Sequence, residues 1–234
     1  MPVPSRPQSQ MDITIVIPAK DEERSIAAVI EGCRPYAKQL LVVDGHSTDR
    51  TRDIARDLGV EVLLDAGRGK GQAIRMAIPH IRCPIAVFID ADGSHDPEDI
   101  PRLIKPIIED RADHVSGSRL LGGSSELHGS FNECFRLMGS SLITACVNWR
   151  FSTRLSESQN GFRAIRTDVL RQLDLREDIT TIEQEMIIKT LRLGLRMAEV
   201  PSHEHARAFG GSSVRLSRVA FRYVYSMVRY LWGP

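Results

Sequence analysis

Two aspartates one residue apart, Asp90 and Asp92, directly follow the apolar run Ile85-Ala86-Val87-Phe88-Ile89. Carboxylates at that spacing on a strand end can share one hard divalent cation, Mg²⁺ or Mn²⁺, whose remaining ligands are phosphate oxygens. The plainer use of such residues is as turn formers ahead of the helix expected to begin near Pro97. Two more polar loops favour the metal. Pro18-Ala19-Lys20-Asp21-Glu22 and Asp44-Gly45-His46-Ser47 each follow a short apolar run in the same way. Three acidic loops of one kind point to one crevice.

Such loops need strands to hold them. Ile13 to Ile17 is rich in β-branched residues and ends at Pro18; Leu40 to Val43, Val60 to Leu64 and Ile85 to Ile89 repeat the pattern. Helical spacing lies between them, over residues 23–38, from a Ser47-Thr48-Asp49 cap to Leu58, and over Lys70 to Ile81. Strands apolar throughout and separated by helices predict an α/β, Rossmann-like, mostly parallel sheet with helices on both faces. Ligands of such sheets bind beyond the carboxyl ends of the strands, where the acidic loops fall.

The second half is less regular. Strands are expected near Asp113–Ser116, Gly161–Ile165 and Arg196–Val200, with helices over Phe131–Asn148 and Thr181–Leu193. No repeat or low-complexity linker divides the chain. The expected organisation is a flexible tail over 1–10, one domain over 11–213 and a C-terminal amphipathic helix over 214–234.

Composition narrows the class. Of 234 residues, 31 are basic and 30 acidic, so the net charge is +1, without the basic excess of a general nucleic-acid binder. Cys33, Cys83, Cys134 and Cys146 form no CxxC pair, which argues against a disulfide framework or a structural zinc and for a reducing compartment. The first ten residues lack the apolar region of a secretory signal, and no window approaches the eighteen apolar residues of a membrane span. A soluble or peripheral cytoplasmic protein is expected.

Taken together, Ile17-Pro18-Ala19-Lys20-Asp21-Glu22, Val43-Asp44-Gly45-His46-Ser47-Thr48-Asp49 and Asp90-Ala91-Asp92-Gly93 resemble the motifs of family 2 glycosyltransferases of the GT-A fold. Gly117-Ser118-Arg119 and Gln159-Asn160-Gly161-Phe162-Arg163 are similar to the dolichol-phosphate mannose synthase group, whose members move a sugar from a nucleotide to a polyprenyl phosphate. The resemblance runs over about residues 12–213. It implies that Pro18, Lys20 and Glu22 line the nucleotide pocket, that Asp44 binds base or ribose, and that Asp90, with Ala91, and Asp92 hold metal and diphosphate. Arg119, Arg136, Ser140 and Arg207 match positions that bind the acceptor phosphate or the donor diphosphate. Arg136 and Ser140, four apart, share one helix face. Asp92, Arg119 and Arg207 are the candidate catalytic residues.

Departures from that pattern are Ser94 where the group often has a Gln near the metal, Glu157 in place of an Asp, and Ser213 in place of a Lys for which Arg215 could substitute. The implied reaction is a metal-dependent, inverting hexose transfer from a GDP- or UDP-sugar to polyprenyl phosphate on the inner membrane surface. The alternatives are a soluble hydroxyl acceptor, or a nucleotide-sugar binding protein without turnover.

Other signals are weaker. Gly67-Arg68-Gly69-Lys70-Gly71 resembles a phosphate loop, but Gln72 stands where a Walker motif needs Ser or Thr. It reads as a flexible loop that brings Lys70 to the nucleotide, or else as a solvated turn. His203-Glu204-His205 could bind metal, although alternating residues at a strand end are more often at the surface. Glu183 and Glu185 could orient substrate or act as a base, and helix solubility explains Glu183 as well. Arg215, Arg218, Arg222 and Arg229 form one stripe of the last helix, with Leu216, Val219, Tyr223, Met227, Tyr230 and Leu231 mostly elsewhere and Trp232 near the end. That pattern suits an interfacial helix on an anionic membrane, or a packing helix with a solvated arginine face.

Overall fold

The computed structural model describes residues 11–123, 131–205 and 216–233, with side chains except those of 11, 131–137 and 216–220. The expected tail, Arg207, Ser213 and Arg215, and the side chains of Arg136 and Arg218, lie outside the described residues.

The elements alternate as expected: β1 (Met11–Ala19), α1 (Ile26–Cys33), β2 (Ala37–Asp44), α2 (Thr51–Asp57), β3 (Glu61–Leu64), α3 (Lys70–Ala77), β4 (Ile85–Phe88), α4 (Ile100–Ile108) and β5 (His114–Ser118). There follow α5 (Arg119–Gly122), α6 (Phe131–Phe151), β6 (Arg163–Arg166), α7 (Thr167–Gln172), α8 (Ile182–Arg192), β7 (Met197–Pro201) and α9 (Leu216–Trp232). One seven-stranded sheet runs β3-β2-β1-β4-β6-β5-β7. The β1–β2, β1–β4, β2–β3 and β5–β7 pairs are parallel, whereas β6 is antiparallel to both β4 and β5. The reversed strand, the short helix α7 and the early start of β2, which cuts the 23–38 helix to α1, depart from the sequence expectation.

Strand alternation explains the uninterrupted apolar runs. Ile13, Ile15 and Ile17 of β1 pack to one side with α1 and α4, and Val16 packs to the other with α3, α7 and α8. Each buried Ile or Val adds about 1.5–3 kcal/mol on either face. Cys33, Cys83 and Cys146 are free thiols, and burial pushes the Cys33 thiol up to about 12.

A third cluster joins α6, α8 and α9 through Ile143, Val147, Ile187, Ile188, Met227, Tyr230 and Leu231. This corrects the reading of the last helix. The apolar face that the sequence offers to a membrane, with Met227, Tyr230 and Leu231, is buried inside the protein. A different stripe, Phe221, Tyr225, Val228 and Trp232, points outward beside exposed Arg222 and Arg229. On α6, Met138, Leu142 and Trp149 are likewise exposed. No helix among the described residues is long and apolar enough to cross a membrane.

His114, fully buried in β5, makes folding sensitive to acid. The Thr190 hydroxyl gives its single proton to the Met186 carbonyl at 2.8 Å, so at 3.0 Å His114 Nδ1–H must donate to it. Nε2 is then the unprotonated nitrogen, buried without a partner. Burial, aided by Arg163, holds the imidazole well below its usual pKa. The unfolded chain therefore takes up this proton first as pH falls below about 6.5. Stability is complete above that value and falls by up to about 1.4 kcal/mol per pH unit below it. Urea titrations at pH 7, 6 and 5 should show such a slope, and His114→Leu should reduce it.

Candidate functional site

Strands β2, β1 and β4 are neighbours, so their carboxyl ends set the three acidic loops side by side. The loops are laced together. Ser47 Oγ accepts from the Asp21 amide at 2.9 Å, and Asp21 Oδ1 accepts from the Thr48 amide at 2.7 Å. The Thr51 hydroxyl takes the Glu22 amide at 2.8 Å, while Glu22 Oε2 receives the Ser25 hydroxyl at 3.0 Å. Asp49, just before the N-cap Arg50, accepts from the Thr51 amide that opens α2 at 2.9 Å. Pro18 lies opposite Val43 and Ala19, the last paired residue of β1, opposite Asp44, and Lys20 is exposed where its Cβ passes Gly45.

Asp44 is fully buried at the end of β2. Its Oδ2 accepts from the Ser47 amide at 3.0 Å and lies 3.4 Å from Arg52 Nε. Its Oδ1 is buried with no partner. Such an atom costs about 1–3 kcal/mol until a donor reaches it.

At the end of β4, Ala91 is buried and the two aspartates have different neighbours. Asp92 Oδ1 accepts from the Ser94 amide at 3.0 Å and from its hydroxyl at 2.7 Å. Ser94, which replaces the family Gln, thus orients Asp92. Asp90 Oδ1 lies 2.5 Å from Lys70 Nζ, and Lys70 is also bonded to Glu183 Oε1 at 2.7 Å. Burial opposes the ammonium, but the two carboxylates outweigh it and hold Lys70 protonated well above its ordinary range. The His95 ring stacks on Phe162 with centroids 5.2 Å apart, and burial keeps it below its usual pKa despite Asp90.

Lys70 reaches this place because α3 starts there. A Cβ on Gly71 would sit 2.4 Å from the Glu177 carbonyl, and one on Gly69 2.9 Å from that of Asp178. The glycines therefore serve close packing, which corrects the expectation of a flexible loop. The helix-solubility reading of Glu183 is also corrected, since it is buried, as is Glu185. Glu185 accepts from the Arg176 and Glu177 amides, both at 2.8 Å, and pairs with Lys189 at 2.7 Å. It organises a loop, which leaves Glu183 as the crevice carboxylate of α8.

The reversed strand brings Gln159-Asn160-Gly161 to the same edge. A Cβ at Gly161 would lie 2.5 Å from Lys70 Nζ and 2.6 Å from Asp90 Oδ2, so only glycine admits the ion pair. Gln159 Nε2 and Asn160 Nδ2 are buried donors with no partner.

Arg119 follows β5. Its Nε donates to Glu157 at 2.7 Å and its Nη1 to Glu204 at 3.0 Å. Burial disfavours the cation, but these carboxylates more than restore it. Arg119 is therefore already matched by two carboxylates, which the sequence reading did not foresee. Glu204 bridges to His95, and the His205 amide donates to the Ser94 carbonyl at 2.9 Å, so the loops after β7 and β4 are joined. The His203 and His205 rings lie 4.6 Å apart. Among the described residues no three His, Cys, Asp or Glu side chains are grouped to hold a metal by themselves. Ser140 on α6 is half-buried, and its carbonyl accepts from Thr144 at 2.9 Å.

The acidic loops thus lie at the switch point of a doubly wound α/β sheet, where proteins of this class bind their ligands. Residues 14–174 match the model of the glycosyl transferase family 2, and the chain belongs to that family. It is a glycosyltransferase. It is 29% identical over 203 residues to "Glycosyltransferase AglJ" of Haloferax volcanii, covering 86% of this chain and 65% of that one. It is 30% identical over 203 residues to the "Dolichyl-phosphate hexose transferase" of the same organism, covering 84% of each. The chain thus spans about two thirds of the first relative and most of the second. Glucosyl-3-phosphoglycerate synthase from Mycobacterium tuberculosis, crystallised with Mn²⁺, UDP and phosphoglyceric acid, shares the fold. Its TM-score is 0.74 at 22% identity, over 95% of this chain and 79% of that one.

Proposed function

We propose that the protein transfers a hexose from a GDP- or UDP-sugar to a polyprenyl phosphate, with inversion at the anomeric carbon. The observation that carries this reading is the buried Oδ1 of Asp44, left without a donor on the same sheet edge as Asp90 and Asp92. A ribose hydroxyl or base N–H would supply that donor. The name of the 30% identical dolichyl-phosphate relative supports the acceptor.

Asp90 and Asp92 fit a hard cation that takes its remaining ligands from a diphosphate, and Mg²⁺ or Mn²⁺ held there would stabilise the departing nucleoside diphosphate. The chain's own residues do the rest. Lys70 adds a buried positive charge beside Asp90, and Gln159 and Asn160 offer amide donors to the bound donor substrate. A phosphate monoester carries about −1.5 to −2 charges near neutral pH, so it attacks without a general base. Arg119, Arg136, Ser140 and Arg207 are the groups assigned to it, with Arg119 exchanging a carboxylate partner for the phosphate. The outward stripe of α9, with Arg222 and Arg229, would rest on the membrane that holds the lipid.

A hydroxyl acceptor would need a base, and Glu183 lies in the crevice to serve as one. The deciding experiment offers radiolabelled UDP- and GDP-sugars, with Mn²⁺ or Mg²⁺, to a short-chain polyprenyl phosphate. An organic-extractable labelled product is expected. Donor hydrolysis without lipid product would overturn the lipid acceptor and move the search to soluble hydroxyls.

A further inference from the structure

Away from the crevice, α7, α8 and the end of α9 line a cavity of about 270 Å³ that opens to the surface. Its charge is one-sided: Arg176, Lys189, Arg192 and Arg229 face it, against the single carboxylate of Asp174. The cations are held in place by partners within and beside the hollow, the Asp174 carbonyl among those of Lys189. Lys189 pairs with buried Glu185 at 2.7 Å, and Arg192 Nη1 donates to the Tyr230 and Gly233 carbonyls at 3.0 and 2.9 Å. Tyr230 forms a wall, with Lys189 Nζ 5.1 Å and the Arg229 guanidinium 5.6 Å from its ring centroid. Arg176 keeps Asp174 engaged at 2.7 Å, so the carboxylate is already neutralised.

Asp174 and Glu185 match two of the four cations, so two positive charges remain in excess around the hollow. An anion offsets that excess. The volume is below the roughly 300–1,000 Å³ of a drug-sized ligand site, so it suits a small headgroup. Guanidinium forks match the planar pairs of oxygens that a phosphate presents. Lys189 and Arg192 stand six and nine residues beyond Glu183 on α8, about 9 and 14 Å along the axis. The cavity is therefore separate from the sugar-transfer crevice and does not rest on the reaction assigned to it.

We propose that this cavity binds a phosphate monoester group, with Arg176, Arg192 and Arg229 donating to its oxygens. Two sources have that chemistry: an anionic lipid headgroup, which would seat α9 beside its exposed Phe221, Tyr225, Val228 and Trp232, and a free phosphate compound.

The test titrates the whole chain with inorganic phosphate and follows the amides of 172–176, 189–193 and 229–233 by NMR. In parallel the protein is sedimented with vesicles of phosphatidylcholine, with and without phosphatidic acid. Saturable shifts at those amides, weakened about tenfold in Arg229→Gln, support the site. Arg176→Gln is the second variant, since both side chains are exposed and neither belongs to the core. Retention on phosphatidic acid vesicles that Arg229→Gln loses and phosphate displaces assigns the occupant to a lipid. Shifts without vesicle retention assign it to a free phosphate compound. Unmoved cavity amides, with vesicle binding equal in wild type and both variants, overturn the proposal. Asp92→Asn should bind phosphate in the cavity as the wild type does, so failure here and failure of the transfer reaction are separable.

Discussion

Replacing Asp92 by asparagine is expected to lower sugar transfer by about 10²–10³-fold, the loss typical when a group that stabilises developing charge is removed. The fold should survive. Asparagine keeps an oxygen to accept from the Ser94 amide and hydroxyl, so unfolding free energy should change by no more than about 1 kcal/mol. What the variant loses is a negative charge beside Asp90. Calorimetric titration with a nucleotide sugar, with and without Mn²⁺, separates the effects: the wild type should show a metal-dependent isotherm and the variant should not. An unchanged metal-dependent isotherm would refute the assignment of Asp92 to the cation.

Gly161→Ala tests the other half of the crevice. Gly161 does not need left-handed backbone, so its requirement is space. The added methyl would meet Lys70 Nζ at 2.5 Å and Asp90 Oδ2 at 2.6 Å. Lys70 is anchored from behind by Glu183, and Asp90 is anchored by its strand end. The overlap is relieved only by parting the ion pair and moving Asp90. A displacement of that order can cost about 10²-fold in rate. Overpacking should cost about 1–3 kcal/mol of stability. Turnover measured beside urea unfolding should thus show a large loss of rate in a protein that still folds. Wild-type turnover would show that the Lys70–Asp90 pair is not part of the machinery.

The parallel half of the sheet was legible because its signal is local. Ile13 to Ile17 and Ile85 to Ile89 are apolar on both faces, and each is followed by an acidic loop. The direction of β6 was not legible, since Arg163–Arg166 pairs through backbone groups that carry no residue identity. The Arg119 clamp was hidden for another reason. Glu157 and Glu204 lie 38 and 85 residues away, and nothing in their neighbourhoods marks them as partners. Glu183 was readable as a substrate-orienting group, a base or a helix acid, but its bond to Lys70, 113 residues earlier, was not. The last helix misled because two of its faces carry apolar residues. The sequence pattern cannot say which of them the α6 and α8 side chains cover.

The reversal of β6 also divides the chain's turns into two populations. The segments after β1, β2, β4, β5 and β7, together with the one before β6, all gather at one rim. The turns at 34–36 and 109–111 lie at the opposite rim. A peptide tag or fluorophore grafted into the far turns would leave the reaction undisturbed. The same insertion within 152–162 would strike the crevice, although that stretch is as loop-like as the others. Across homologues, length variation should accumulate on the far rim and be rare before β6.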